Sequence, residues 1–327
     1  MANGEKKIRR IALLTSGGDA PGMNAAIRAV VRTAVFNGVK VLGFRRGYNG
    51  LIQNDFIEMD SRSVNRMSAR GGTMLYTARC DEFRTEAGVK RAADNCRYLG
   101  IDGLVCIGGD GTFRGALELS HHGVPVVGIP ATIDNDIGCS HYTIGFDTAA
   151  NTAIDAIDKL SDTMQSHERI SVVEVMGRHA GHLAMYVGLS CGAAVTLVPE
   201  EPFDMEHDIL EVVREGRING RNHFIVIVAE GVGGAPEIAR EIQEQTGMET
   251  RITIIGHVQR GGSPTARDRV MATRMGHFAV ESLLKGEKQI VVCYRDSHIC
   301  SLGIEEALTM HKELDRYMYR VAKEISI

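Results

Sequence analysis

From one end of the chain to the other, short β-branched runs alternate with stretches whose apolar residues recur at helical spacing, a pattern that points to parallel, doubly wound α/β sheets. The clearest runs are Ile11 to Leu14, Leu104 to Ile107, Val124 to Ile129, Ser171 to Val175, Phe224 to Val228 and Ile252 to Ile255. A strand covered on both faces has no polar side to alternate with, so it reads as an unbroken apolar run. Several of these runs lead straight into Gly- or Asp-rich turns, where the carboxyl ends of parallel strands place a ligand site. The 327 residues, 44% hydrophobic and 24% charged, are enough for a full core. At about 100–200 residues per domain the length suits two.

Charge and cysteine usage exclude several classes. A net charge of −4 recruits neither nucleic acid nor an anionic membrane, so an anionic ligand has to be held locally. Lys and Arg number 37, of which nine are Lys; the excess of guanidinium suits bidentate phosphate recognition, although a genomic base bias gives the same excess. Seven cysteines without a CxxC pair indicate neither a disulfide framework nor a zinc site. The first residues, MANGEKKIRR, lead into a strand and a glycine turn instead of a signal-peptide core, and no apolar run reaches the ~18 residues of a membrane span. A cytoplasmic location is expected.

Four constellations carry possible chemistry. The first, Thr15 to Asn24 (TSGGDAPGMN), follows a strand and precedes the helical pattern Ala25 to Phe36. Its glycines allow backbone amides to approach an anion, and the helix offers its positive end. It lacks the Lys-Ser/Thr of a Walker A motif. The second, Ile107 to Thr112 (IGGDGT), sets Asp110 among glycines, where a carboxylate can hold a Mg²⁺ whose other ligands are phosphate and water; a turn capped by Asp110 is the plainer reading. The third is Pro130 to Asp136. In an extended segment Asp134 and Asp136 would share a face, where like charges need a cation or a proton between them. One carboxylate can then accept a hydroxyl proton while the other serves a metal. The fourth comprises Arg169, Met176 to His182 (MGRHAGH), Arg251 and Gly256 to Gly262 (GHVQRGG), groups suited to clamping a phosphorylated substrate. His179 and His182, three apart, suggest a metal pair on one helix face, with no third ligand evident.

Taken in order, TSGGDAPGMN, the Arg70 to Thr73 stretch with Ala78-Arg79, IGGDGT, TIDND, ISVVEVMGR and GHVQRGGSP resemble the bacterial 6-phosphofructokinases over roughly Ile8 to Gly276. The resemblance implies two Rossmann-like three-layer αβα domains with mostly parallel sheets and a ligand site in the cleft between them. The larger domain would take residues 1–145 plus 259–309, and the smaller 146–258 plus 310–327. It implies transfer of the γ-phosphoryl group of ATP to the 1-hydroxyl of fructose 6-phosphate in glycolysis, with Mg²⁺ as cofactor. Asp134 would be the base, with Thr132 and Asp136 positioning substrate and metal, and Asp110 the magnesium-site aspartate. Gly17, Arg79, Cys80, Gly109, Gly111, Thr112 and Gly115 would line the nucleotide. Met176, Gly177 and Arg178 match the loop beside the substrate, Arg178 stabilising the transferring charge. Glu230, His257 and Arg260 would hold the sugar phosphate. Arg169 and Arg251 match arginines that reach it from a neighbouring subunit, which implies a homotetramer.

Two further expectations follow from the resemblance. Pyrophosphate-using relatives carry Asp and Lys where this chain has Gly111 and Ala131, so the smaller residues favour ATP over pyrophosphate as donor. Arg28, Arg32 and Arg221 match basic positions of the family's effector site, but Phe56, Ser161, Ala194 and Asn219 do not, which implies altered effector control unless Arg45 and Arg46 compensate. A nicotinamide-dinucleotide or lipid kinase would use GGDGT but leaves TIDND and HVQRGG unexplained. A silent nucleotide sensor would not need Asp110, Asp134 and Arg178 together.

Overall fold

The computed structural model describes residues 8–326. Residues 1–7, where no leader core was read, lie outside the described residues. Among the described residues eleven strands occur in chain order: β1 (Arg10–Thr15), β2 (Lys40–Phe44), β3 (Phe56–Met59), β4 (Gly103–Gly108), β5 (Val126–Pro130), β6 (Ile170–Val175), β7 (Val195–Leu197), β8 (Phe224–Ala229), β9 (Thr250–Ile254), β10 (Ile290–Arg295) and β11 (His298–Gly303). They form two sheets in two compact units. The first unit comprises residues up to Thr132, Ile137–Asp147 and Arg260–Lys312; the second comprises Ile133–Asp136, Thr148–Gln259 and Glu313 onward. The segment Ile133–Asp136, expected in the first domain, packs with the second.

In the first unit the order is β11-β10-β5-β4-β1-β2-β3, parallel through its five central strands and antiparallel at both edges. β4 is buried at all six positions, which is why its sequence shows no alternation. On one face, helices Glu86–Tyr98, Asp110–His121 and Ile304–Thr309 pack on Leu14, Leu104 and Cys106 of the sheet. Helices Met23–Phe36 and Ala266–Leu284 pack against each other so closely that a Cβ on Gly276 would lie 2.8 Å from the Ala26 carbonyl. The strand order reverses between β1 and β4. Chains leaving those two strands diverge, and the crevice outside their carboxyl ends is where doubly wound sheets bind ligands.

The second unit has four parallel strands in the order β7-β8-β6-β9. Central β8 is wholly buried, whereas edge strand β9 exposes Arg251, Ile252 and Ile254. All seven cysteines are free thiols, and the Cys293 thiol donates to the Val291 carbonyl at 3.4 Å inside the first unit.

Candidate active site

Both glycine turns leave the strands that flank the order reversal. Ser16 N–H donates to the Ile107 carbonyl (3.0 Å) and the Thr112 hydroxyl to the Ser16 carbonyl (3.1 Å), so the turns after β1 and β4 are one hydrogen-bonded unit. A Cβ on Gly108 would lie 2.3 Å from the Thr112 hydroxyl and 2.4 Å from the Ser16 carbonyl, which fixes glycine there. Gly17 holds φ +87° and Gly22 φ +107°, conformations that favour glycine. Gly18 has a different reason: its Cβ would fall 1.9 Å from a terminal nitrogen of Arg260, so the guanidinium rests directly on this turn. Arg260 Nε is buried without a hydrogen-bond partner.

Asp110 opens helix Asp110–His121, half-buried, with Gly109 just before it. Nothing lies within 4 Å of a Cβ placed on Gly111. Gly115 is a packing glycine: its Cβ would meet both rings of the Tyr48–Phe83 stack, whose centroids are 4.0 Å apart. The Tyr48 hydroxyl donates to the Thr112 carbonyl at 2.5 Å and so fixes the first turn of the helix. Arg79 is exposed and Cys80 half-buried, its thiol pushed up by burial.

The acidic segment departs from its expected geometry. Asn135 sits at φ +52°, in the left-handed region, so the chain bends between the two aspartates and strand alternation does not place them on one face. Asp134 is buried, at 7% exposure, and Asp136 half-buried. The Thr143 hydroxyl closes the base of this loop on the Thr132 carbonyl at 2.7 Å, and Ile144 bridges to Ala131. Farther on, buried Asp268 accepts from the Tyr142 hydroxyl (2.5 Å) and from Gly145 N–H (2.7 Å). Burial first, and then the Asp268 charge, raise the Tyr142 phenol far above its usual range, so this pin stays protonated.

In the second unit the carboxyl ends of β6, β8 and β9 bring together Met176-Gly177-Arg178, Glu230 and His257. Arg178 takes the left-handed φ of +57°, and its N–H donates to Glu230 Oε2 at 3.0 Å. Met176 N–H donates to Gln259 Oε1 at 3.3 Å. Glu200 Oε1 accepts from Gly181 N–H at 2.8 Å, closing the loop from its far side. Burial, with Glu230 adding to it, pushes the Glu174 carboxyl up.

Arg169 and Arg251 do not join this group. Arg169 precedes β6, and Arg251 pairs in register with Ser171 at the amino end of the sheet. Arg169 Nε donates to Glu249 Oε2 at 2.7 Å, and Arg251 pairs with the same carboxylate. Met176 lies seven positions beyond Arg169 along β6, roughly 23 Å at ~3.3 Å per residue. Nor do the histidines pair on a helix: the helix begins at His182, leaving His179 in the preceding loop, and no cluster of three metal-ligating side chains occurs among the described residues.

At the expected effector positions Arg28 is half-buried and Arg32 exposed on their helix. Arg221 donates to the carbonyls of His223 (3.2 Å) and Ser326 (2.9 Å). Phe56 packs edge-on against Phe44, Ala194 is a core residue, and Arg45 and Arg46 both pair with Asp55.

The phosphofructokinase family profile matches residues 10–283, all but the two ends of the chain. The chain belongs to this family. It is 53% identical to an ATP-dependent 6-phosphofructokinase of Clostridium botulinum (strain Loch Maree / Type A3), over 98% of this chain and 100% of the relative. Among solved structures it resembles phosphofructokinase from Saccharomyces cerevisiae at 34% identity and a TM-score of 0.86, covering 97% of this chain but 46% of the yeast chain, so it spans about half of that protein. A pyrophosphate-dependent phosphofructokinase from Marinobacter aquaeolei, 23% identical with a TM-score of 0.86 over 98% of this chain and 92% of the other, shares the fold. Sequence reasoning missed the residues that hold the phosphofructokinase motifs in place: Tyr48, Phe83, Asp268, Glu200 and Gln259. Each acts across a long sequence separation, and only Gln259 lies inside a motif.

Proposed function

We infer that the chain is an ATP-dependent 6-phosphofructokinase, transferring the γ-phosphoryl of ATP to the 1-hydroxyl of fructose 6-phosphate in glycolysis. The observation that carries this is full-length likeness, at 53% identity, to a relative named for that activity. The space beside Gly111, open to 4 Å, agrees with a nucleotide donor, because an acidic side chain there would occupy it. An assay coupled to fructose 1,6-bisphosphate should give turnover with ATP and none with pyrophosphate. The reverse preference would overturn the donor assignment.

In this reading Gly17, Arg79, Cys80, Gly109, Gly111, Thr112 and Gly115 border the nucleotide. Asp110 suits Mg²⁺: a carboxylate opening a helix directly after a glycine turn fits an ion that keeps water and phosphate oxygens as its other ligands. Bound there, the ion would neutralise phosphate charge. Asp134 takes the proton of the acceptor hydroxyl, and Thr132 and Asp136 orient the reacting groups. Arg178 meets the charge on the transferring phosphoryl, while Met176, Gly177, Glu230, His257 and Arg260 hold the acceptor. Arg169, roughly 23 Å along the sheet from Met176, and Arg251, level with Ser171 and so roughly 17 Å from it, are too far away to serve the same phosphate within one chain. They would serve a second copy in a homotetramer, and the exposed Ile252 and Ile254 of edge strand β9 offer apolar surface for such contact. Solution mass reads this directly. No helix among the described residues is long and apolar enough to cross a membrane, which agrees with a cytoplasmic enzyme.

The seating of Arg260 on Gly18 makes a specific prediction. A Gly18→Ala variant should fold, because the atom it meets is the far end of a flexible side chain, but the guanidinium must swing away. Loss of one charge-assisted contact predicts a KM for fructose 6-phosphate raised about 10- to 100-fold, with the KM for ATP little changed. A raised ATP KM alone would return Gly18 to the role of admitting a phosphate.

A further inference from the structure

We propose that Gln259 is a positioning residue for Arg178, acting through the backbone of the loop that carries it. The proposal rests on the reading of Arg178 as a group that meets the transferring phosphoryl. Gln259 is fully buried, and both ends of its amide are used: Oε1 accepts from Met176 N–H at 3.3 Å and Nε2 donates to the Gly256 carbonyl at 3.0 Å. One side chain therefore ties the end of β6 to the turn Gly256–Arg260, which carries His257.

The need for such a tie is visible in the backbone. Between Met176 and Arg178 the chain passes through Gly177 at φ +150° and Arg178 at φ +57°, and a non-glycine residue in the left-handed region persists only where its surroundings enforce it. Two side-chain acceptors do so from opposite ends, Gln259 on Met176 N–H and Glu230 on Arg178 N–H. The main chain adds Glu230 N–H to the Val175 carbonyl (2.8 Å) and Ile255 N–H to the Glu174 carbonyl (3.1 Å). Glu230 was expected from the outset to face substrate, whereas Gln259 points wholly inward and works only through what it holds. An amide is required because one partner is a donor and the other an acceptor; a carboxylate or an apolar side chain of the same length satisfies one or neither.

Gln259→Met keeps length and volume and removes both bonds. We expect kcat/KM for fructose 6-phosphate to fall about 10- to 100-fold, the scale of a misplaced catalytic group, while the KM for ATP stays at the parental value. Introduced into Arg178→Ala, the same change should have little further effect, since the group it positions is gone. Gln259→Glu, which retains the acceptor for Met176 N–H, should lose less than Gln259→Met and serves if the methionine variant does not fold. A residue of merely structural importance would lower thermal stability and leave acceptor kinetics intact. Parental acceptor kinetics in a folded variant, or an undiminished effect in the Arg178→Ala background, would overturn the proposal. A parental Arg178→Ala enzyme would instead remove the reading on which it rests.

Discussion

An Asp134→Ser variant is expected to keep its fold and its affinity for both substrates while kcat falls by about 10²- to 10⁴-fold, the usual size of a general-base contribution. Asp134 is held at 7% exposure in a loop whose base is closed by the Thr143 hydroxyl on the Thr132 carbonyl, so its position is set by the loop and survives a smaller side chain. Phosphoryl transfer with a loose transition state forms little bond to the hydroxyl before the barrier, so the base orients and receives a proton without needing unusual basicity. Single-turnover and steady-state rates with ATP and fructose 6-phosphate separate the two contributions: chemistry slows, binding does not. Near-parental turnover would assign the proton elsewhere. The bend at Asn135 offers a milder test of the same geometry, since a β-branched residue at φ +52° is strained, by about 1–3 kcal/mol, and should displace the carboxylate without removing it.

What could be read from the sequence, and what could not, divides along a physical line. β4 and β8 were legible because burial on both faces leaves a continuous apolar run, and the turns after β1 and β4 because their glycines cluster between a strand and a helix. Those signals are local. The pairing of Asp134 with Asp136 on one face was inferred from strand alternation, a rule that fails as soon as one residue, Asn135, leaves the extended region. Gly18 looked like its neighbours, but its requirement comes from an arginine 242 positions away, and no local period encodes that contact. Arg169 and Arg251 looked like further members of a strand-end cluster, and it took the parallel register of β6 with β9 to place them at the amino end of the sheet. Motifs thus suggested the chemistry, while the contacts that hold those motifs in shape, such as those of Gln259 and Tyr48, emerged only from the fold.

Replacing Arg178 should be nearly as damaging as replacing Asp134, and here stability and activity should move in opposite directions. Loss of one preorganised donor to a transferring group costs about 10²- to 10³-fold in kcat, or ~2.7–4 kcal/mol, and Arg178→Ala is expected in that range. Arg178→Lys should recover little, because an ammonium lacks the planar fork that meets two phosphoryl oxygens. Arg178→Gly decides between side chain and backbone. The left-handed φ of +57° costs an arginine about 1–3 kcal/mol and a glycine almost nothing, so the glycine variant should melt higher than the parent while turning over as slowly as the alanine variant. The hydrogen bond from residue 178 N–H to Glu230 Oε2 survives every one of these changes, so a shared rate loss belongs to the guanidinium. Parental kcat in Arg178→Gly would place the function in the loop conformation instead, with the side chain a bystander.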